Sequence, residues 1–247
     1  MGMNAMLKTI KTCLFIGALT VSGGMAAAET TFEMIKRTGK VTVGTEAAFP
    51  PFEFVEDGKI VGYGKDILDY IIADLGVELN QLDLPWQGIL PGVLAGKFDF
   101  VATSVSVRPE RVTKYAFTVP IAEGTTWTMK RAGDDSIASV EDLAGKVVGT
   151  QLSSGGEAAA KEFEATLGGD GYGELKLYTS YPETYLALAN GEIDVVVQTL
   201  PNLAVVVKEQ PGVFEMVDNG TLYELQDKWF GFKMDIPSEG HLPEGAL

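Results

Sequence analysis

Short β-rich runs alternate with amphipathic helical runs along this chain, and this alternation limits the possible folds more than any other feature. The predicted strands cover residues 40–45, 78–84, 98–107, 126–130, 146–150, 175–178 and 193–197. The predicted helices cover residues 65–75, 88–95, 155–167, 183–189 and 203–208. Strands that alternate with helices indicate parallel α/β sheets. Because the alternation occurs in two cycles, we expect two lobes that meet at a cleft, with the chain crossing between them near residues 120–123.

The first 28 residues have the three parts of a secretory signal in the expected order. Lys8 and Lys11 supply the positive start, residues 13–21 form a short apolar core, and three alanines at 26–28 form a small-residue cleavage site. The alternative is a buried core helix of the domain. Cys13 is the only cysteine and lies inside this segment, so an exported mature chain would contain no disulfide.

Charge and histidine content narrow the possible functions. The formal net charge is −15, and loss of the two signal lysines would make it −17. Such an acidic chain is a poor partner for nucleic acid or an anionic membrane. His241 is the only histidine, which argues against a histidine-based metal site or a catalytic triad. We therefore expect no cofactor.

One arginine follows a strand that ends in alternating hydroxyls. Ser104 and Ser106 lie two apart, so on a strand both would face the same side, and Thr103 precedes them. The planar fork of Arg111 fits a carboxylate with two hydrogen bonds. Free hydroxyls beside such a fork predict a site for a small organic acid. The alternative is a surface arginine paired with a nearby acid, and we expect Arg108 to be solvated.

Two aromatic side chains stand at turns or junctions. Phe49 lies between Ala48 and Pro50, and Trp86 follows Pro85 at a strand-to-helix junction. Two flat faces could sandwich a ligand or attract a cation, or they could simply pack in the core. Farther along, residues 153–156 (SSGG) open a helix whose free N–H groups would favour an anion, although serine and glycine also cap helices for purely structural reasons.

These pieces, in this order, resemble the bacterial extracellular solute-binding proteins that deliver polar amino acids to ABC importers. The resemblance covers residues 32–231 and rests on nine segments. They are residues 44–52 (GTEAAFPPF), 61–66 (VGYGKD), 86–91 (WQGILP), 96–99 (GKFD), 106–111 (SVRPER), 142–149 (DLAGKVVG), 187–194 (ALANGEID), 220–222 (GTL) and 228–231 (KWFG).

The resemblance implies a two-lobed α/β fold of the type II, Venus-flytrap kind, which closes on one ligand. It implies a periplasmic monomer that binds an amino acid or derivative and presents its closed form to a membrane permease. Arg111 matches the carboxylate clamp, with Thr103, Ser104 and Ser106 beside it. Phe49 and Trp86 match the sandwiching aromatics, and Glu46 matches an acid that reaches the distal group of the ligand. Gln151, Ser154 and Gly155 match the contribution of the second lobe. Related scaffolds also host cyclohexadienyl dehydratases, which leaves an enzyme as the rival interpretation.

The chain departs from the family pattern in two places. Thr199 stands where an aspartate usually pairs with the α-ammonium of the ligand, and a neutral hydroxyl compensates a buried ammonium poorly. After residue 217 a return hinge strand and most of a long helix are absent, so lobe one is expected to be truncated. We accordingly assign residues 29–121 with 218–231 to lobe one, 122–217 to lobe two, and 232–247 to a flexible tail.

Overall fold

A computed structural model describes residues 29–122, 124–169 and 171–217. The predicted signal at 1–28, the returning segment at 218–231 and the tail at 232–247 lie outside these residues. Within the described ranges, no helix combines the length and the apolar character needed to cross a membrane.

The first lobe consists of the elements from α1 to α4 and is built on a three-stranded parallel sheet. Strand β1 (Lys40–Thr45) lies between β5 (Glu78–Asp83) and β6 (Phe100–Val101). A small antiparallel sheet joins β2 (Ala48–Phe49), β3 (Glu53–Glu56) and β4 (Lys59–Val61). The helices are α1 (Thr31–Thr38), α2 (Tyr63–Leu75), α3 (Trp86–Leu94) and α4 (Pro109–Val112). Val41 and Val43 of β1 pack with Ile35 and Leu68 in the core.

The second lobe is built on a five-stranded sheet in the order β11-β7-β10-β8-β9. Its strands are β7 (Thr126–Arg131), β8 (Val147–Gln151), β9 (Glu174–Tyr178), β10 (Val195–Thr199) and β11 (Phe214–Met216). Its helices are α5 (Gly155–Leu167), α6 (Tyr181–Ala189) and α7 (Leu200–Glu209), with a 3-10 turn at Val140–Leu143. In β10, Val196 faces one apolar cluster while Val195 and Val197 face the other. Because apolar clusters pack on both faces of the sheet here, residues 195–197 of this strand are all apolar.

The prediction of parallel sheets is wrong for β7, which runs antiparallel to β10 and β11. A parallel pairing needs a crossover element before it. No helix lies between α4 and β7 in the described residues 113–122 and 124–125, so β7 follows an irregular connection rather than a helical crossover.

The predicted strand over residues 98–107 is much shorter, since only Phe100–Val101 pairs. The Ala102 N–H still donates to the Gly44 carbonyl at 2.9 Å, which continues the ladder by one bond. The next amide hydrogen bond, from Ser104, goes to the Glu53 side chain instead of a strand. Ser104 and Ser106 therefore do not share a strand face as predicted, although both line the same cavity.

Candidate functional site

Twelve residues from both lobes line one cavity where the two lobes meet. They are Glu46, Phe49, Trp86, Ser104, Ser106 and Arg111 from the first lobe, and Gln151, Ser154, Gly155, Gly156, Tyr181 and Thr199 from the second. Most follow the carboxyl end of a strand or open a helix, which is where open α/β sheets bind ligands. The cavity volume is about 20 Å³, enough for a single water molecule. A larger solute would require the facing walls to move apart.

Arg111 is a buried cation that forms no ion pair with any acid in the described part of the chain. The residue is 7% exposed. Its Nη1 donates to the Ser106 carbonyl at 3.1 Å and its Nη2 to the Ser153 carbonyl at 3.0 Å. No ion pair to Arg111 occurs among the described residues. The alternative of a surface arginine paired with an acid is therefore wrong. Burial lowers the pKa of this guanidinium from its ordinary value, so an anion in the cavity would relieve a desolvated charge.

Ser153 helps to place the second acceptor of Arg111. Its φ of +61° lies in the left-handed region that side chains other than glycine rarely adopt. Ser154 then begins α5 as its N-cap, because its Oγ accepts a hydrogen bond from the Glu157 N–H at 3.1 Å. The structural role predicted for the 153–156 run is thus present, and Ser154 and Gly155 also line the cavity.

Glu46 supplies the only carboxylate among the lining residues. Its Oε1 accepts a hydrogen bond of 2.5 Å from Gln151 Nε2, and Gln151 also donates to the Thr179 carbonyl at 3.2 Å. Burial raises the pKa of Glu46 to about 7; the Gln151 hydrogen bond opposes this rise, and the charges of Asp83 and Glu53 add to it. A cation beside this carboxyl would favour its ionised form.

Aromatic rings form the remaining walls. Trp86 is buried, and the centre of its ring lies 5.4 Å from the guanidinium carbon of Arg111, within cation–π range. Phe49 packs with its centroid 5.9 Å from the ring of Tyr181 in the other lobe. The sequence interpretation missed Tyr181. Its position directly after Ser180, the N-cap of α6 beyond a strand, is the signal that could have identified it.

Thr199 and Thr103 differ in how they meet the cavity. Thr199 lines it, and its hydroxyl donates to Asn202 Oδ1, while Asn202 Nδ2 donates to the Pro50 carbonyl of the other lobe. Thr103 is not part of the lining, because its hydroxyl donates to Glu53 Oε2 at 3.1 Å.

Arg108 is not solvated as expected. Its side chain is 18% exposed and pairs with Glu110 and with Glu162 of the second lobe. Gln87 Nε2 makes a further contact between the lobes by donating to the Thr179 carbonyl at 3.0 Å. The two lobes are therefore in a closed arrangement.

Sequence comparison identifies the family. The model of the bacterial extracellular solute-binding proteins, family 3, matches residues 41–232, well over half of the chain. The chain belongs to this family. As a solute-binding protein of this kind, it has the two-lobed α/β fold expected from the resemblance.

Individual relatives of this solute-binding protein agree with that assignment. The L-cystine-binding protein TcyJ of Escherichia coli (strain K12) is 27% identical over 265 residues, which cover 94% of this chain and 96% of TcyJ. A probable amino-acid ABC transporter-binding protein of Haemophilus influenzae is 27% identical over 248 residues, 90% of this chain and 96% of its own length. Among solved structures, the ancestral amino acid-binding protein AncCDT-1, a precursor of cyclohexadienyl dehydratase, superposes with a TM-score of 0.69. It shares 28% identity over 76% of this chain and 81% of its own.

Proposed function

We propose that this solute-binding protein is the periplasmic receptor of an ABC importer and that it binds an amino acid or close derivative between its lobes. The observation that carries the proposal is Arg111, a buried guanidinium at the interlobe cavity whose hydrogen bonds end on neutral carbonyls. A ligand carboxylate would supply the charged partner that this site lacks.

The opposite charge in the same cavity narrows the ligand class. Glu46 is buried beside Gln151, and its charged neighbours are acids. A ligand with both a carboxylate and a cationic group would satisfy Arg111 and Glu46 together. Phe49 and Trp86 would sandwich its body, Ser104 and Ser106 would supply hydroxyls, and Gln151, Ser154, Gly155 and Thr199 would complete the site from the second lobe.

Closure would couple binding to transport. Because both lobes contribute to the lining, a ligand gains its full set of contacts only when they come together, and binding shifts the population toward the closed form. The closed pair of lobes is the surface that we expect a membrane permease to recognise. We further propose export through cleavage after residue 28, a monomeric state, and a lobe boundary between residues 121 and 122.

The first test is isothermal titration calorimetry with the twenty L-amino acids and L-cystine. At least one should bind, and Arg111→Ala should weaken its binding on the order of 100-fold, because the buried carboxylate loses its charged partner. The matched control is Arg37→Ala, which removes an exposed arginine of α1 that pairs with Glu29 and does not line the cavity. Equal affinity of the Arg111 and Arg37 variants would remove Arg111 from the site.

A second candidate function is an enzyme on the same scaffold. It is favoured by Glu46, whose pKa of about 7 suits a general acid, and by the likeness to a dehydratase precursor. We prefer binding because the described residues of the lining include one carboxylate and no histidine to share the proton transfers. Turnover of prephenate or arogenate, followed by absorbance and abolished by Glu46→Gln, would reverse this preference.

A further inference from the structure

The segment 103–107 brings two serines to the cavity, yet it belongs to no helix or strand. The ladder to β1 ends with the Ala102 N–H. An irregular segment that carries binding groups needs other partners to hold a single conformation. Glu53 on β3, which lies outside the cavity lining, is the side chain that supplies them.

Three hydrogen bonds join this segment to the Glu53 carboxyl. The Thr103 hydroxyl and the Ser104 N–H donate to Oε2 at 3.1 and 3.0 Å, and the Ser104 hydroxyl donates to Oε1 at 3.0 Å. Glu53 is only 2% exposed. Three donors meeting two oxygens are the pattern that a carboxylate satisfies in its ionised form, which Glu53 adopts above its raised pKa of about 7.

Gly64, near the start of α2, makes room for this carboxyl. A Cβ at Gly64 would lie 1.8 Å from Glu53 Oε1. The backbone of Gly64 does not have a positive φ, so the glycine is explained by the approach of Glu53 and not by a turn. Gly64 thus leaves the space that the Glu53 carboxyl occupies.

The direction of these hydrogen bonds decides what Ser104 can offer to a ligand. Both of its donors, the N–H and the hydroxyl proton, are used by Glu53. The hydroxyl oxygen of Ser104 therefore has only lone pairs left for the cavity, and it can accept but not donate. Such an oxygen suits an N–H group of the ligand, not its carboxylate.

We propose that Glu53 is a positioning residue for ligand binding, which holds the Ser104 hydroxyl as an acceptor for an N–H donor of the ligand. The role rests on the proposed binding function. It also gives the site an acceptor for an ammonium group beside the neutral Thr199. The amide of Glu53→Gln would present its own N–H groups to Ser104, so the serine proton would turn toward the cavity and repel the donor of the ligand.

The test measures affinity by calorimetry at pH 8, where Glu53 is ionised, for the tightest binder among the twenty L-amino acids and L-cystine. Glu53→Gln should weaken binding about tenfold, the effect of losing one good hydrogen bond, whereas Glu56→Gln, an exposed acid on the same strand, should stay within about twofold. In a Ser104→Ala background the further effect of Glu53→Gln should shrink to less than about threefold, because the two residues act together.

Each outcome decides one claim. An equal loss from Glu53→Gln with and without Ser104 would overturn the positioning role. Normal affinity of Glu53→Gln would do the same. If the unmodified protein binds none of these compounds, the proposed function is wrong, and so is the positioning role of Glu53 that rests on it.

A second variant serves if Glu53→Gln does not fold. Gly64→Ala should displace the Glu53 carboxyl by direct contact while leaving its charge intact, and it should weaken binding at least about threefold. Its control is Gly88→Ala, a helical glycine at which an added methyl group would meet no atom within 4 Å beyond its chain neighbours and its own helix backbone. Equal affinities for these two alanine variants would contradict the proposal.

Discussion

Arg111 and Glu46 place opposite charges in one small cavity, and neither has an opposite charge of the protein as its partner in the described part of the chain. Arg111 uses two backbone carbonyls and Glu46 uses the amide of Gln151. Neutral partners only partly offset the desolvation of a charge. These two side chains therefore lower the stability of the empty protein while favouring a zwitterionic ligand.

The first prediction concerns pH. The ordinary pKa of Glu46 and Glu53 is 4.5, and burial raises the pKa of each to about 7 in the folded chain. Between these values the folded state holds more protons than the unfolded state. Stability that is fully present below pH 4.5 is thus lost as the pH rises through 7, by up to about 3 kcal/mol for each group.

Urea unfolding of the ligand-free protein at pH 5 and pH 8 measures this loss. Glu46→Gln should reduce the difference in the free energy of unfolding between pH 5 and pH 8, because the amide does not titrate. Glu56→Gln, an exposed acid, should retain the full difference. A pH dependence that is the same in both variants would exclude Glu46 as its source.

A second prediction concerns Thr199, which lines the cavity where the family usually has an aspartate. Thr199→Asp should bind L-amino acids more tightly, by at least about fivefold, because a carboxylate stabilises a buried ammonium. Thr166→Asp adds the same charge at an exposed position on α5 and should leave affinity unchanged. Calorimetry on both variants checks this, and no gain for Thr199→Asp would remove the position from the specificity argument.

At the scale of elements, the sequence predicted correctly the helices and strands whose ends are fixed by nearby residues, such as capping residues. Helix α5 spans the predicted residues 155–167, because Ser154 caps its start and Gly168 follows its end. Ten of the eleven predicted site residues line the cavity, and their roles in binding remain predictions. The predicted length of strand β6 was wrong because the Ser104 N–H donates to Glu53, 51 residues earlier, and no local pattern reveals such a bond.

The start of α5 carries the third prediction. A Cβ at Gly156 would lie 2.5 Å from Thr150 Oγ1 and from the Val197 carbonyl, and 2.6 Å from the Tyr181 hydroxyl. Gly156→Ala should therefore lower the free energy of unfolding by about 1–3 kcal/mol, since the helix must move away from the sheet. Gly88→Ala, which meets nothing, should not. Urea titration of both variants would contradict the idea if Gly156→Ala were equally stable.

At the scale of the whole molecule, direct contacts between the lobes maintain the closed arrangement. Arg108 pairs with Glu162, Gln87 bonds to the Thr179 carbonyl, and Asn202 bonds to the Pro50 carbonyl. None of these bonds needs a ligand. Each of these bonds joins two groups of the protein, so each favours the closed arrangement.

The fourth prediction follows from the Arg108–Glu162 pair. Because the Glu162 side chain is 68% exposed, the pair contributes at most about 1 kcal/mol, but all of it belongs to the closed state. Glu162→Gln should shift the ligand-free population toward the open form, seen by small-angle X-ray scattering as a larger radius of gyration. Glu209→Gln, an exposed acid on α7, should not change it. A radius that is unchanged in both variants would show that this pair does not favour closure.

The two carbonyls that hold Arg111 come from different lobes, Ser106 from the first and Ser153 from the second. Arg111 therefore joins the lobes through two of its five N–H donors, and three donors remain for an incoming carboxylate. In the closed form, the lobes block the entry of a solute to the cavity. The rate of capture would then scale with the fraction of molecules in the open form. Stronger contacts between the lobes would slow uptake even if every ligand contact stayed the same.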